Sequence, residues 1–168
     1  MLVRNAVVAD LPAIRELFNA LIPTTTIAWR EELASADEIA TWFAQQVDAN
    51  NPVFVADDDG DVVGYTCWSA FRGGPRFPGY RHTAELTIHV RGDQHGRGVG
   101  RALMESLVAE APARDIHVLV AGIDADNVAS IAFHAALGFT EVARMHEVGY
   151  KNGRWLDLVL MQRIVPRL

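Results

Sequence analysis

The residues with the clearest chemical potential lie in the segment HVRGDQHGRGVGRALM, residues 89–104. Its glycines at positions 92, 96, 98 and 100 separate an alternating, strand-like stretch from a helix-like run. Glycines at such a junction let backbone N–H groups converge on an anion, and the helix start adds partial positive charge. Arg97 and Arg101 add formal charge nearby. The segment predicts a phosphate or pyrophosphate site, with a plain flexible connection as the alternative.

Two nucleotide-binding loops do not fit these residues. A Walker A loop needs a lysine after its last glycine, and no lysine is present here. The dinucleotide fingerprint needs G-x-G-x-x-G, a spacing that these glycines do not keep. Residues 95–100, HGRGVG, resemble instead the coenzyme A pyrophosphate loop of GNAT acetyltransferases, [RQ]-x-x-G-x-[GA], with His95 in place of the usual Arg or Gln. The resemblance implies cofactor binding by the loop residues Gly96, Arg97, Gly98, Val99, Gly100 and Arg101.

The elements that must position this loop follow the order β-α-α-β-β-β-α-β-α-β-β. Alternating apolar residues predict strands, and apolar residues at helical spacing predict the helices. Asp10 and Ser35 are predicted helix caps, Leu11, Ile14 and Leu17 begin an apolar helix face, and Gly138 is predicted to end the last helix. Asp58–Gly60 and Asn152-Gly153 predict hairpin turns. We expect one mixed α/β domain over residues 1–168.

Composition limits the classes of function. The net charge is −6, and the chain has a single lysine, so we expect no nucleic-acid partner. No apolar run reaches the ~20 residues that span a bilayer, and Arg4 and Asp10 interrupt any signal-peptide core, so we expect a cytoplasmic protein without membrane contact. Cys67 lies in an apolar alternating stretch and is interpreted as a small buried side chain rather than a nucleophile. No metal is expected, because metal-ligand spacing is lacking among His82, His89, His95, His117 and His146.

Three segments narrow the resemblance to the phosphinothricin and methionine sulfoximine N-acetyltransferase branch. YRHTAELTIHV is similar to that branch's Tyr/Phe-Arg-x-Thr-x-Glu strand, VAGIDADNVASIAFHAALGF to its fifth strand and fourth helix, and VGYKNGRWLDLVLMQ to its closing hairpin. The resemblance implies a GNAT fold, a mostly antiparallel mixed sheet of about seven strands with four flanking helices. It also implies an acetyl-CoA-dependent N-acetyltransferase, usually a homodimer, acting on the α-amine of a small amino acid.

The chemistry of amine acetylation assigns roles to two residues. A protonated amine must lose a proton before it attacks the thioester. Glu85, whose counterpart lines the site in the resembled branch, is the predicted base or ammonium ligand; a solvated strand carboxylate is the alternative. His134 occupies the place where many relatives carry a general-acid Tyr. It is predicted to act as acid, or as base by relay, with a purely structural histidine as the alternative.

The cofactor and substrate contacts follow from the same resemblance. Backbone groups of Ile88, His89 and Val90 are expected to stabilise the tetrahedral intermediate and to pair with the pantetheine arm. Asn127 is expected both to cap its helix and to contact coenzyme A. Predicted substrate contacts are Trp29, Arg76, Phe77, Arg81, Glu85 and Thr87, with either arginine as the carboxylate ligand. Trp29 could equally be a core aromatic, whereas Trp68 and Trp155 are expected in the core or in a dimer contact.

Two alternatives to this function remain open at the level of sequence. A protein or peptide N-terminal acetyltransferase would need an open groove, which the Gly/Pro-rich loop at residues 72–80 could provide or close. A non-catalytic coenzyme A-binding module would need neither Glu85 nor His134, and the presence of both argues against it.

Overall fold

Residues 1–166 form seven strands and four α-helices, which follow one another in the predicted order. The computed structural model describes the backbone of residues 1–166 and their side chains other than those of residues 73 and 75. The strands are β1 (Leu2–Asn5), β2 (Val53–Asp58), β3 (Asp61–Ala70), β4 (Thr83–Val90), β5 (Val118–Asp124), β6 (Thr140–Lys151) and β7 (Arg154–Ile164). The helices are α1 (Leu11–Leu21), α2 (Ala36–Asp48), α3 (Val99–Glu110) and α4 (Val128–Ala136).

The strands form one mixed sheet in the order β1-β2-β3-β4-β5-β7-β6. The pairs β1–β2, β2–β3, β5–β7 and β6–β7 are antiparallel, whereas β4 and β5 are parallel. The expected mixed α/β fold with seven strands and four helices is therefore confirmed. Since β5 is parallel to β4, the chain needs a crossover between them, and α3 supplies it.

The predicted helix-capping residues mark the helix boundaries in the structure, with the exception of Asp10. The Ser35 hydroxyl accepts from the Glu38 N–H and opens α2, and Gly138 leaves α4 with φ +81°. Asp10 does not cap α1: it closes a 3-10 turn, where its carboxylate accepts from the Val7 N–H and pairs with Arg4. The hydrogen bonds that the Arg4 guanidinium donates to Asp10 lower the pKa of this carboxyl group, and they compensate for its burial.

The chain divides into two compact units. The first comprises Met1–Ala20, Leu33–Ser69 and Thr87–Ala111. Its buried apolar side chains include Ile14, Val55 and Tyr65, together with Leu103 and Leu107 of α3. On α2, Val47 is 60% exposed. Gln46 is buried instead, because its amide donates to the Trp68 carbonyl at 2.9 Å.

The second unit comprises Leu21–Glu32, Ala70–Leu86 and Pro112–Leu168. Consecutive residues 119–121 of β5 are all buried, as expected for a strand covered on both faces. The long β6–β7 hairpin turns through Asn152 and Gly153, both with positive φ, which confirms the predicted turn. Its register shifts between Met145 and Gly149, where Asp157 accepts from the Glu147 N–H and from the His146 ring.

Candidate active site

The glycine loop of the first unit presents a row of unused backbone donors. Gly96 and Gly98 have φ of +74° and +83°, a conformation that favours glycine, and a Cβ at either would meet no atom within 4 Å. Gly98 is the N-cap of α3. Among residues 1–166, no backbone carbonyl is within hydrogen-bond geometry of the N–H groups of residues 96–101, and the bonded series resumes with the Ala102 N–H on the Gly98 carbonyl. This arrangement fits an anion such as a pyrophosphate.

Side chains of the loop hold its backbone in place. The His95 ring lies 3.0 Å from the Val90 carbonyl through Nε2, so the residue that replaces the usual Arg or Gln bonds the end of β4. Arg97 donates to the buried Gln94 amide oxygen at 2.6 Å. Arg101 is exposed and lies 3.6 Å from Glu105. The two arginines therefore contribute differently: Arg97 braces the loop, and Arg101 offers charge at the first turn of α3.

In the same unit, β3 approaches the carboxyl-terminal half of β4 closely at a glycine. A Cβ on Gly64 would lie 2.9 Å from the His89 carbonyl oxygen and 3.3 Å from the Val90 Cα. Burial lowers the pKa of His89 to about 4, so its ring is neutral near pH 7 and lies against Tyr65. The Thr87 carbonyl accepts from the Thr66 hydroxyl at 2.8 Å. Residues 88–90 thus lie on a strand fixed by its neighbour, and their proposed cofactor contacts stay a prediction.

Glu85 belongs to the second unit, where β4 pairs in parallel with β5 at Val120. Its side chain is exposed, in contrast to the buried neighbours Ala84 and Leu86. A Cβ on Gly122 would lie 3.3 Å from Glu85 Oε1, so the absence of a side chain at 122 leaves room for the carboxylate. The structure therefore presents Glu85 as an accessible carboxylate on a rigid strand, an arrangement that a base or an ammonium ligand requires.

His134 is buried on α4 and is only 2% exposed. Its Nδ1 lies 2.8 Å from the Ser130 carbonyl oxygen, so this nitrogen carries the proton and donates. Nε2 is left with its lone pair and has no hydrogen-bond partner among the described residues. Burial lowers the pKa of His134, so the ring is neutral near pH 7. In this state Nε2 can accept a proton, and it can act as an acid only after it has done so.

Asn127 confirms its predicted capping role, since its side-chain oxygen accepts from the Ser130 N–H at 3.1 Å. It also borders a cavity of about 390 Å³ in the second unit. The lining is polar and comes from the α1–α2 connection, the start of α4 and the hairpin turn: Thr24, Thr25, Thr26, Ile27, Asp126, Asn127, Asn152 and Arg154. Sequence reasoning found only Asn127 among these residues.

Trp29 lies half-buried beside the hairpin. Its indole occupies the place that a Cβ on Gly149 would take, so glycine is required at 149 for the ring to sit there. Arg76 and Arg81 are exposed, as is Phe77, and the Arg81 guanidinium donates to the Pro78 carbonyl at 3.1 Å. Their proposed substrate contacts stay predictions.

The remaining singled-out side chains fall into core and surface. Cys67 is buried, and burial raises the pKa of its thiol to about 12, which agrees with the interpretation as a small core residue. Trp68 is in the core, whereas Trp155 is 61% exposed. Among residues 1–166, no group of three or more His, Cys, Asp or Glu is placed to hold a metal ion, and no helix is long and apolar enough to cross a membrane.

One residue of the second unit was missed from the sequence altogether. Lys151 is the only lysine of the chain and is 1% exposed. Next to a hairpin turn, a lysine is expected in solvent, and the pattern around it gives no sign of burial. The single signal was its uniqueness in a chain with 15 basic residues.

Comparison with known proteins gives one consistent family. The family described as "Acetyltransferase (GNAT) domain" matches residues 3–160. The chain is 41% identical over 162 residues to the L-amino acid N-acyltransferase MnaT of Escherichia coli, covering 96% of this chain and 92% of that protein. It is 40% identical over 161 residues to an L-methionine sulfoximine/L-methionine sulfone acetyltransferase of Pseudomonas paraeruginosa, covering 95% and 92%.

Among solved structures, a phosphinothricin acetyltransferase from Sinorhizobium meliloti in complex with AcCoA superposes with a TM-score of 0.92. It is 35% identical, and the match covers 98% of this chain and 88% of that one. The family and branch resemblances drawn from the glycine loop and the closing hairpin are thus confirmed. The match over residues 3–160 shows that this chain belongs to the GNAT family of acetyltransferases.

Proposed function

We propose that this chain is an acetyl-CoA-dependent N-acetyltransferase that acetylates the α-amine of a small amino acid or analogue. Methionine sulfoximine, methionine sulfone and phosphinothricin represent the substrate class. The observation that carries the proposal is the glycine loop, whose N–H donors at residues 96–101 have no backbone acceptor among the described residues. Similarity to relatives with these named activities supports the substrate class.

Acetyl-CoA would be held through its pyrophosphate by the N–H groups of Gly96, Arg97, Gly98, Val99, Gly100 and Arg101. The backbone does most of this binding, which explains why His95 can replace Arg or Gln: its ring is used within the loop. Further contacts are proposed for residues 88–90 of β4 and for the side chain of Asn127. When bound, acetyl-CoA supplies an acetyl group activated as a thioester.

Two protons must leave the ammonium nitrogen, one before it attacks the thioester and one as the amide forms, and the chain's own residues manage both. Glu85 takes the first from the ammonium of the substrate, directly or through a water, which frees the nitrogen lone pair for attack. As the C–N bond forms and the C–S bond breaks, a proton must reach the departing sulfur. His134 is proposed to relay it: Nε2 accepts while Nδ1 stays bonded to the Ser130 carbonyl, and Nε2 then donates.

Substrate recognition is assigned to the residues that the resemblance indicates. Arg76 or Arg81 would bind the carboxylate, because a guanidinium offers two parallel donors. Phe77, Thr87 and Trp29 are the further substrate contacts that the resemblance implies, and the Trp29 indole lies against Gly149. The named activities of the relatives, an L-amino acid N-acyltransferase and a methionine sulfoximine/sulfone acetyltransferase, favour a free amino acid over a protein N-terminus.

The whole chain is proposed to act as a single GNAT domain, in the cytoplasm and as a homodimer. The β6–β7 hairpin offers the dimer contact, since apolar side chains on it are exposed: Val142, Met145, Val148, Tyr150, Trp155 and Ile164. Large exposed apolar groups on one element are typical of an interface.

Thiol release from acetyl-CoA tests the function directly. We expect release with methionine sulfone, methionine sulfoximine or phosphinothricin, and no release with an N-terminal peptide of matched concentration. Release with the peptide alone would establish the peptide enzyme instead. Tight acetyl-CoA binding without release from any amine would identify a non-catalytic module.

Two variants test the proposed roles against a matched control. Glu85→Gln and His134→Ala should each lower kcat by about 10²–10⁴-fold, the range typical of general acid–base groups, while acetyl-CoA binding is retained. Glu16→Gln removes an exposed carboxylate on α1 and should leave kcat unchanged. If Glu85→Gln and His134→Ala both keep the full rate, the assigned roles are wrong.

A further inference from the structure

The ammonium of Lys151 is enclosed by backbone of the α1–α2 connection. Nζ donates to the carbonyl oxygens of Ile22, Thr25 and Ala28 at 2.7, 2.8 and 2.6 Å. An ammonium has three N–H donors, and all three are matched. Because the side chain is 1% exposed, these bonds are made away from water and hold the connection strongly.

The three acceptors are spaced three residues apart, so the connection curls around a single point. Residues 22–35 join α1 to α2 without a strand or an α-helix. The ammonium therefore fixes the backbone path of residues 22–28 at three carbonyls, beside the packing of the buried Ile22 side chain. The Thr25 N–H and hydroxyl also bond the Leu21 carbonyl, which ties the start of this path to the end of α1.

The curled segment lines the polar cavity with residues 24–27 and leads directly into Trp29, a predicted substrate contact. Residues 24–27 line the polar cavity together with Asn152 and Arg154, which flank the turn next to Lys151. Trp29 follows directly after Ala28, and its ring occupies the place above Gly149. In sequence, Lys151 lies between Gly149, which contacts the Trp29 indole, and Asn152, which lines the cavity. Its bonds to residues 22–28 therefore position both the cavity wall and the indole.

We propose that Lys151 is a positioning residue for the amine substrate: it fixes residues 22–28 and thereby Trp29. This inference rests on the proposed function and deepens it. Lysine suits the role because its three donors radiate from one atom, whereas the planar fork of arginine matches carboxylates instead. Methionine would fill the same volume but leave three buried carbonyls without a donor.

Kinetics of Lys151→Met and Lys151→Arg, beside wild type, test the inference. We expect both variants to raise KM for methionine sulfone by about tenfold or more, since misplacement of a positioning group by about 1 Å can cost 10²-fold. The Kd for acetyl-CoA, measured by calorimetry, should stay within about twofold, because the glycine loop makes no use of Lys151. Arg144→Met, which removes an exposed cation from the same strand, should change neither value.

A local readout separates positioning from general stability. Trypsin cleavage after Arg30, followed by mass spectrometry, should accelerate by about tenfold in Lys151→Met if the segment is released. In a kinetic double-mutant cycle, Trp29→Ala should add little to Lys151→Met, since both act on the same contact.

The outcomes distinguish this inference from the proposed function. Wild type without activity on any amine would overturn the function. An active wild type whose Lys151→Met variant keeps its KM for the amine and its cleavage rate at Arg30 would overturn only the role of Lys151. If Lys151→Met fails to fold, Lys151→Arg decides, and an unchanged KM in that variant would also overturn the role.

Discussion

Substitution of Gly98 by alanine tests two properties of the glycine loop, its left-handed backbone conformation and its binding of the cofactor. Gly98 has φ +83°, and a Cβ there would meet no atom within 4 Å. The added methyl group therefore strains the backbone without a clash. The substitution lies within the segment whose N–H groups, at residues 96–101, are proposed to hold the pyrophosphate. Stability and cofactor binding should both fall, each for its own reason.

The two magnitudes can be worked out separately. A non-glycine residue in the left-handed region costs about 1–2 kcal/mol. In a domain of this size, that cost lowers Tm by about 2–8 °C. A hydrogen bond to a charged group contributes about 1.5–3 kcal/mol, so displacing the pyrophosphate from one N–H weakens acetyl-CoA binding by about ten- to hundredfold.

Two further glycines provide matched controls. Gly60, in the β2–β3 turn, has φ +92° and open space around it, so Gly60→Ala carries the strain alone. Gly92 precedes residues 96–101, has no positive φ and also has open space around it. We therefore expect Gly92→Ala neither to strain the backbone nor to weaken acetyl-CoA binding. Calorimetry with acetyl-CoA and thermal unfolding without it should order the three variants accordingly.

Two results would contradict these expectations for the glycine loop. If Gly98→Ala binds acetyl-CoA within about twofold of Gly60→Ala, the N–H groups at this position do not hold the cofactor. If Gly98→Ala loses no stability, the left-handed conformation of residue 98 is not maintained.

Three other predictions concern the second unit. Because burial lowers the pKa of His134, the unfolded chain binds a proton at this ring more readily, and the free energy of unfolding should fall as the pH drops below about 6.5. Urea unfolding at pH 7.5 and pH 5 should show a smaller loss of stability in His134→Gln than in wild type. An equal loss in both proteins would contradict the lowered pKa. Gly149→Ala should displace the Trp29 indole, which costs about 1–3 kcal/mol of unfolding free energy. The same variant should raise KM for methionine sulfone. An unchanged KM would show that the indole does not contact the substrate. Trp155→Ser should convert a dimer into a monomer in light scattering, and an intact dimer would place the interface elsewhere.

Features that depend on neighbours in sequence were largely predictable. The caps at Ser35 and Asn127 and the Asn152-Gly153 turn are made within a few residues, so residue type and spacing were sufficient. Asp10 shows the limit of that reasoning. Arg4 competes for the same carboxylate from β1, and a partner on another element outweighed the local capping preference.

In the candidate site, too, the features formed within one segment were predictable from the sequence, whereas those that depend on tertiary contacts were not. The glycine loop is one continuous segment, and its conformation follows from glycines at positions that need positive φ. By contrast, the protonation of His134 depends on its burial and on the Ser130 carbonyl, which together fix Nδ1 as the donor. The residue type indicated a titratable group, but its environment decided that the ring is neutral.

By itself, the sequence determined the order of the elements, the anion-binding loop and the family resemblance, because these reside in short contiguous patterns. Only the tertiary structure decided the place of Lys151. Its three acceptors lie more than 120 residues away along the chain, and they are carbonyls that any residue provides. No pattern of side chains encodes such a contact; it arises when the closing hairpin and the α1–α2 connection come together.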